Sequence, residues 1–188
     1  MTNYGAAELA ASFQTVRKNT LLIAEEIPED KYGFVPVTGW RSLGELLKHI
    51  AWSPMTYEDM FGAKRVTTLK GYDFPAIFAK RAEKERQPMN KAQIVGLLKS
   101  EGDRVAAWLG SLNGAYLNEM FTDVAGQNPK TRLEGLLALK EHEMHHRGQL
   151  MLIQRMIGIV PHLTREREER ARQRAMAAAA TAAAGAKK

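Results

Sequence analysis

The residues best equipped for chemistry are crowded into one run, His142-Glu143-Met144-His145-His146-Arg147-Gly148-Gln149. On a helical wheel of about 100° per residue with His142 at zero, His146 falls at about 40°, Gln149 at about −20° and Ile153 at about 20°. The two imidazoles share one face, a turn apart, which is the spacing of a bidentate site for a divalent metal. Leu139, Ala138, Met156 and Ile157 lie within about 60° of the same line, so the pair is expected inside an apolar seam, with Lys140, Arg147, Gln154 and Arg155 on the wet face. His145, at about −60°, flanks the seam. Two histidines on a helix are more often satisfied side chains than ligands, and a third imidazole from another helix is what changes the balance. His49 is the candidate.

The same run spells HExxH, in which Glu143 would be the general base of a metallopeptidase. Against that, Leu152 stands where a metzincin has its third histidine, and little strand-forming sequence precedes the run to build a substrate-binding sheet. At about 100° from His142, Glu143 also reads as a solvated helix carboxylate. It remains the one catalytic candidate.

Composition narrows the chemistry. The chain has 188 residues and no cysteine, which removes disulfides, thiol nucleophiles and thiolate-bound metal, so any ion must be held by His, Asp or Glu. At 45% hydrophobic and 26% charged it is an ordinary globular sequence, long enough for one domain with a real core. The net charge is +6, but residues 165–188 carry seven basic against three acidic residues, a net of +4. The basic character is therefore largely a property of the tail and gives little support for a nucleic-acid groove. No apolar run reaches the roughly 20 residues of a membrane span, and Met1-Thr2-Asn3-Tyr4-Gly5 does not open a secretory signal, so a cytoplasmic protein is expected.

Four helices must position the histidines. Leu9, Phe13, Val16 and Ile23 give a helical stripe over Ala6 to Glu26 that Pro28 ends, followed by an ordered aromatic loop to Trp40. Ser42 with Glu45 has capping-box form and opens a helix to Phe61, with His49, Leu46, Ser53, Thr56 and Met60 on one face. Pro54 should kink or restart it. Gly62 to Met89 reads as a long connection that crosses the bundle or covers a site. Asn90 with Gln93 caps a third helix to Leu109, a short extended piece is expected within Leu117 to Val124, and Thr131 with Glu134 opens the last main helix, which Gly158 and Pro161 close after Ile157. Four main helices and too few alternating segments predict an all-α four-helix bundle. Residues 164–188 change character, to a charged run and then near-pure alanine, and predict a frayed helix or disordered tail beyond a body of residues 1–163.

The segments "GELLKHIAWS", "HEMHHRGQL" and "RMIGIVP" together resemble the DinB-like family of small bundle proteins, over roughly Ala6 to Leu163. That resemblance implies up-down-down-up connectivity, a dimeric assembly and a divalent metal held by three histidines, which carry over to His49, His142 and His146. His145 falls between the ligand positions and is not carried over. The resemblance further implies metal-dependent chemistry on a small molecule, of hydrolase or thiol S-transferase type, with a low-molecular-weight thiol as a candidate partner. Zn²⁺ is the first expectation for the ion, and Ni²⁺, Fe²⁺ or Mn²⁺ would accept the same ligands. The rival readings are the HExxH peptidase and a non-enzymatic metal-binding bundle.

Overall fold

Side-chain caps begin the helices where the sequence places them. Ser42 accepts from the Glu45 amide at 3.3 Å while the Ser42 amide donates to Glu45 at 2.7 Å, and Asn90 and Gln93 exchange the same pair of bonds at 2.9 Å each. Thr131 accepts from the Glu134 amide at 3.1 Å. Each satisfies amide donors that a helix start would otherwise leave unpaired.

The computed structural model describes residues 4–185. Its helices are α1 (Ala6–Glu26), α2 (Leu43–Trp52), α3 (Met55–Tyr57), α4 (Phe74–Arg86), α5 (Lys91–Ser111), α6 (Gly114–Leu117), α7 (Arg132–Met156) and α8 (His162–Gly185). Pro54 interrupts the second rod as expected, and α3 runs into a π-helical turn, Glu58–Ala63. The extended piece shrinks to β1 (Met120–Phe121), paired antiparallel with β2 (Lys130–Thr131), Met120 facing Thr131. None of the described helices is long and apolar enough to cross a membrane. In the tail, α8 is helical and mostly exposed, and residues 186–188 lie outside the described residues.

Two apolar clusters fix the direction of each helix. One gathers Ile23 and Ile27 from the end of α1, Leu43 and Leu47 from the start of α2, Ile94 and Leu98 from the start of α5, and Leu150 and Ile153 from the end of α7. The other gathers Leu9, Phe13, Phe61, Val105, Leu109, Leu136 and Leu139, the opposite end of every rod. α1 and α7 therefore point one way and α2 and α5 the other, a four-helix bundle with up-down-down-up order. Because α2 and α5 are parallel, the chain must travel the bundle's length between them. The sequence placed a bare connection there; the structure makes much of it α4, capped by Asp73, whose Oδ1 accepts from the Ala76 amide at 3.0 Å.

Between the clusters lies a charged cross-tie. Arg17 of α1 donates through Nε and Nη2 to both oxygens of Glu143 on α7 at 2.9 to 3.1 Å, through Nη1 to the Leu98 carbonyl of α5 at 2.7 Å, and through Nη2 to the Ile50 carbonyl of α2 at 3.5 Å. One guanidinium joins all four rods. Gly102 makes the room: a Cβ there would stand 2.7 Å from Arg17 Cγ.

Candidate metal centre

His49 projects from the buried face of α2, two turns into the helix that Ser42 caps, and His142 and His146 project from α7 opposite it. Their Nε2 atoms converge, with 3.3 Å from His49 to His142 and 3.2 Å from His142 to His146, and the three residues can each offer a ligand atom within 4.8 Å of the others. The outward nitrogens are tied down in two cases: His49 Nδ1 donates to Glu85 Oε1 at 2.9 Å and His146 Nδ1 to Gln149 Oε1 at 2.8 Å. Those bonds put the ring protons on Nδ1 and leave the Nε2 lone pairs of His49 and His146 facing inward. His142 Nδ1 is buried with no partner.

Burial first, then the charge that His146 and His49 would carry, hold the His142 imidazole down to about 3. Burial also keeps His146 below its ordinary value, against an opposing pull from Gln149 and with added push from His49. Burial raises the Glu85 carboxyl, but the bond with His49 and the charges of His49, Arg81 and Arg41 outweigh it and keep it below the ordinary range. His142 and His146 are thus held toward the neutral form that metal ligation requires, beside an ionised carboxylate.

The donor set fits a divalent ion. Ring nitrogens that share one ion at about 2.1 Å stand about 3.0 Å apart at right angles and about 3.4 Å apart at the tetrahedral angle. The two short separations, 3.2 and 3.3 Å, fall between these limits. Three inward lone pairs would repel one another; a cation relieves this, as does the neutral His142 tautomer with its proton on Nε2, and burial disfavours only an additional, charging proton.

The other histidine and the glutamate of the run lie elsewhere. His145 is exposed and accepts from Gln149 Nε2 at 3.2 Å, so it buttresses the residue behind His146. Glu143 is 1% exposed and both its oxygens are engaged by Arg17, which corrects the expectation of a solvated carboxylate. The wheel needs the same correction. Gln154, placed on the wet face, is fully buried, whereas Met156 of the supposed seam is half exposed. The buried stripe of α7 runs through Leu136, Leu139, Glu143, Leu150 and Gln154, centred about 90° from His142. The histidine pair stands at the margin of the core face, where a cleft can reach it.

Glu85 and Arg81 were not found from sequence, because α4 itself was not. The available signals were Asp73 with Pro75, which opens a helix, and the i, i+4 pairing of Arg81 with Glu85, whose Nε–Oε1 distance is 3.1 Å. Two cavities flank the centre. One of about 680 Å³ touches His146, Gln149 and Glu85 and is rimmed by Trp40, Arg41 and Arg86. The other, about 650 Å³, touches His142 and Arg81 and is walled by Phe61, Phe74, Phe78 and Phe121.

Fold and centre together define a helical bundle with a three-histidine, metal-type site at the edge of its core. The DinB superfamily model matches residues 12–150, and the chain belongs to that superfamily. Among solved structures it resembles YfiT from Bacillus subtilis, described as a probable metal-dependent hydrolase with an unusual four-helix bundle topology, at 16% identity and a TM-score of 0.62, covering 85% of this chain and 91% of that one. It also resembles YjoA, a DinB-like protein of Bacillus subtilis, at 23% identity and a TM-score of 0.59, covering 80% and 92%. At these identities the likeness is one of fold. No curated protein matches the chain.

Proposed function

We propose that this protein is a metal-dependent enzyme of hydrolase type acting on a small molecule in the cytoplasm, with His49, His142 and His146 as the ligands of one divalent ion. The observation that carries this is the convergence of three Nε2 atoms, that of His142 standing 3.3 Å from His49 and 3.2 Å from His146, with the rings of His49 and His146 oriented from behind by Glu85 and Gln149. An ion held by three imidazoles keeps positions open for reactants and supplies Lewis acidity, by which water or a thiol gives up its proton near neutral pH. Zn²⁺ is the first choice, with Ni²⁺, Fe²⁺ and Mn²⁺ as alternatives.

The protein's own side chains supply the rest. Glu85 holds the His49 ring and raises its basicity, and Gln149 does the same for His146. The aromatic wall beside His142 excludes water from one side of the centre. A thiol S-transferase uses the same site with a thiol in place of water, and the polar cavity beside His146, with Arg41 and Arg86 at its rim, offers space for such a co-substrate. Peptidase chemistry of the HExxH type is disfavoured, since both oxygens of Glu143, its general base, are occupied by Arg17.

Metal analysis of protein purified without a chelating tag, followed by cobalt titration of the stripped protein, tests the proposal. Near-equimolar metal and a visible cobalt spectrum that disappears in His142→Ala are expected. Stripped protein that takes up no transition metal would refute it.

A further inference from the structure

The cavity beside His142 has a pattern that ligand-free packing does not explain. Its wall is apolar and aromatic, with Phe61, Phe74, Phe78 and Phe121 forming most of it. At its inner end stand three hydrogen-bond donors for which no acceptor is found among the described residues. Thr56 is 6% exposed and its Oγ1 has no partner. His142 Nδ1 is likewise buried and unpaired, and it carries a proton whenever Nε2 is the ligand atom. Arg81 spends Nε on its ion pair with Glu85, and its terminal nitrogens meet no acceptor. An unpaired buried donor costs about 1–3 kcal/mol, so Thr56 and His142, with the half-buried Arg81 fork beside them, mark a place where an acceptor-rich group belongs.

These donors lie close to the centre by construction. Thr56 follows His49 by two turns on the same face of the interrupted rod, Arg81 shares Glu85 Oε1 with His49, and Arg81 is among the charges that push the His142 imidazole down. The acidic residues of the cavity are at its exposed rim and mostly engaged. Asp123 accepts from the Ala125 and Gln127 amides and from Asn128 of its own loop, Glu134 pairs with Lys130 at 3.6 Å, and Glu141 is exposed. The cavity is thus donor-rich at depth, where the charge of Arg81 is offset by Glu85, apolar along its walls and acidic at its mouth.

We propose that this cavity receives the substrate, and that the substrate is a small amphiphilic acid: an aromatic or alkyl body held between the phenylalanines, with a carboxylate directed inward onto Arg81, Thr56 and the His142 ring edge. The inference rests on the metal-enzyme proposal for the word substrate and for the proton on His142 Nδ1, which an ion on Nε2 would fix there; Arg81 and Thr56 recognise the carboxylate without it. Arg81 is then a specificity-determining residue, and its planar fork suits a carboxylate.

The test compares 4-phenylbutyrate with its neutral isostere 4-phenylbutanol by calorimetry, on zinc-loaded and on chelator-stripped full-length protein. The acid is expected to bind about tenfold more tightly than the alcohol. Arg81→Gln should bring that ratio to about one, Thr56→Val should reduce it partway, and Phe74→Ala, away from the Arg81 guanidinium that stacks on Phe78, should weaken both ligands alike. Arg172→Gln, on the exposed stretch of α8, should change neither. A merely structural role for Arg81, through Glu85, would weaken acid and alcohol equally and leave the ratio intact, which overturns the proposal, as does equal binding of the two ligands by the unsubstituted protein. The preference for the acid in stripped protein separates the two claims: retained there, cavity recognition stands whatever becomes of the metal; present only with zinc and unaltered by Arg81→Gln, the carboxylate is binding the ion and the cavity assignment fails.

Discussion

At the level of single residues, the run HExxH holds side chains with unrelated work, and substitutions should separate them. His142→Ala and His146→Ala are expected to lower metal affinity at least about a hundredfold with little loss of fold, because Leu139, Leu150 and Ile153 hold α7 in place. His145→Ala should cost far less, since His145 meets the site only from behind, through Gln149 and an edge contact with the His146 ring. Glu143→Ala should behave in the opposite way. It strands the Arg17 guanidinium in the core, so it should cost about 3–5 kcal/mol in urea unfolding while leaving the metal stoichiometry of the folded protein unchanged. Loss of metal without loss of stability would return Glu143 to the site. The pH dependence follows from His142, which titrates at 6.5 when free and is held to about 3 in the fold. Within that window the unfolded chain binds a proton that the folded chain refuses, so the stability of the metal-free protein is complete above the window and declines as pH falls through it. The slope from this one group is at most about 1.4 kcal/mol per pH unit. Urea midpoints of chelated protein that stay level from neutrality to about pH 4 would speak against a neutral buried imidazole.

At the level of elements, what the sequence disclosed and what it hid have the same origin. The starts of α2, α5 and α7 were legible because caps are local: a serine, asparagine or threonine three residues before a glutamate or glutamine needs nothing else to act. The facing of α7 was misjudged because Glu143 and Gln154 are polar and buried, while Met144, Leu152 and Met156 are apolar and exposed. Periodicity assumes that charge points outward, and the partner that lets Glu143 point inward, Arg17, is 126 residues away. α4 was hidden for a related reason. Only Ile77 of its residues is buried, so it carries almost no apolar stripe, and its existence follows from the parallel pairing of α2 and α5, a fact of topology. The three clustered histidines were legible because each stands on a strongly defined helix; Glu85 was missed with the helix that bears it. The close approach of α5 to Arg17 gives an element-scale prediction. Gly102→Ala should push the guanidinium off its partners and lower stability by about 1–3 kcal/mol, read as a shift of the denaturant midpoint, and a neutral outcome would show that the cross-tie can slide.

At the level of the whole molecule, two proposals concern size and assembly. The chain is expected to be a homodimer, so light scattering should return twice its 21.0 kDa; a monomer mass at micromolar concentration would overturn that. Removing residues 167–188 should leave metal uptake and the thermal midpoint essentially unchanged, since that stretch of α8 contributes no buried side chain among those described. The return journey of α4 has a consequence of its own. The segment that topology obliges to run back along the bundle borders both cavities and supplies the carboxylate behind His49, yet it is pinned by a single buried isoleucine. Its opening free energy should therefore sit well below that of the α1, α5 and α7 rods, and amide deuteration should reach residues 76–86 orders of magnitude sooner than the bundle. Each such excursion would expose both faces of the centre at once and withdraw Glu85 from His49, so an ion or reactant bound there should exchange at a rate set by the breathing of one helix and not by the unfolding of the protein.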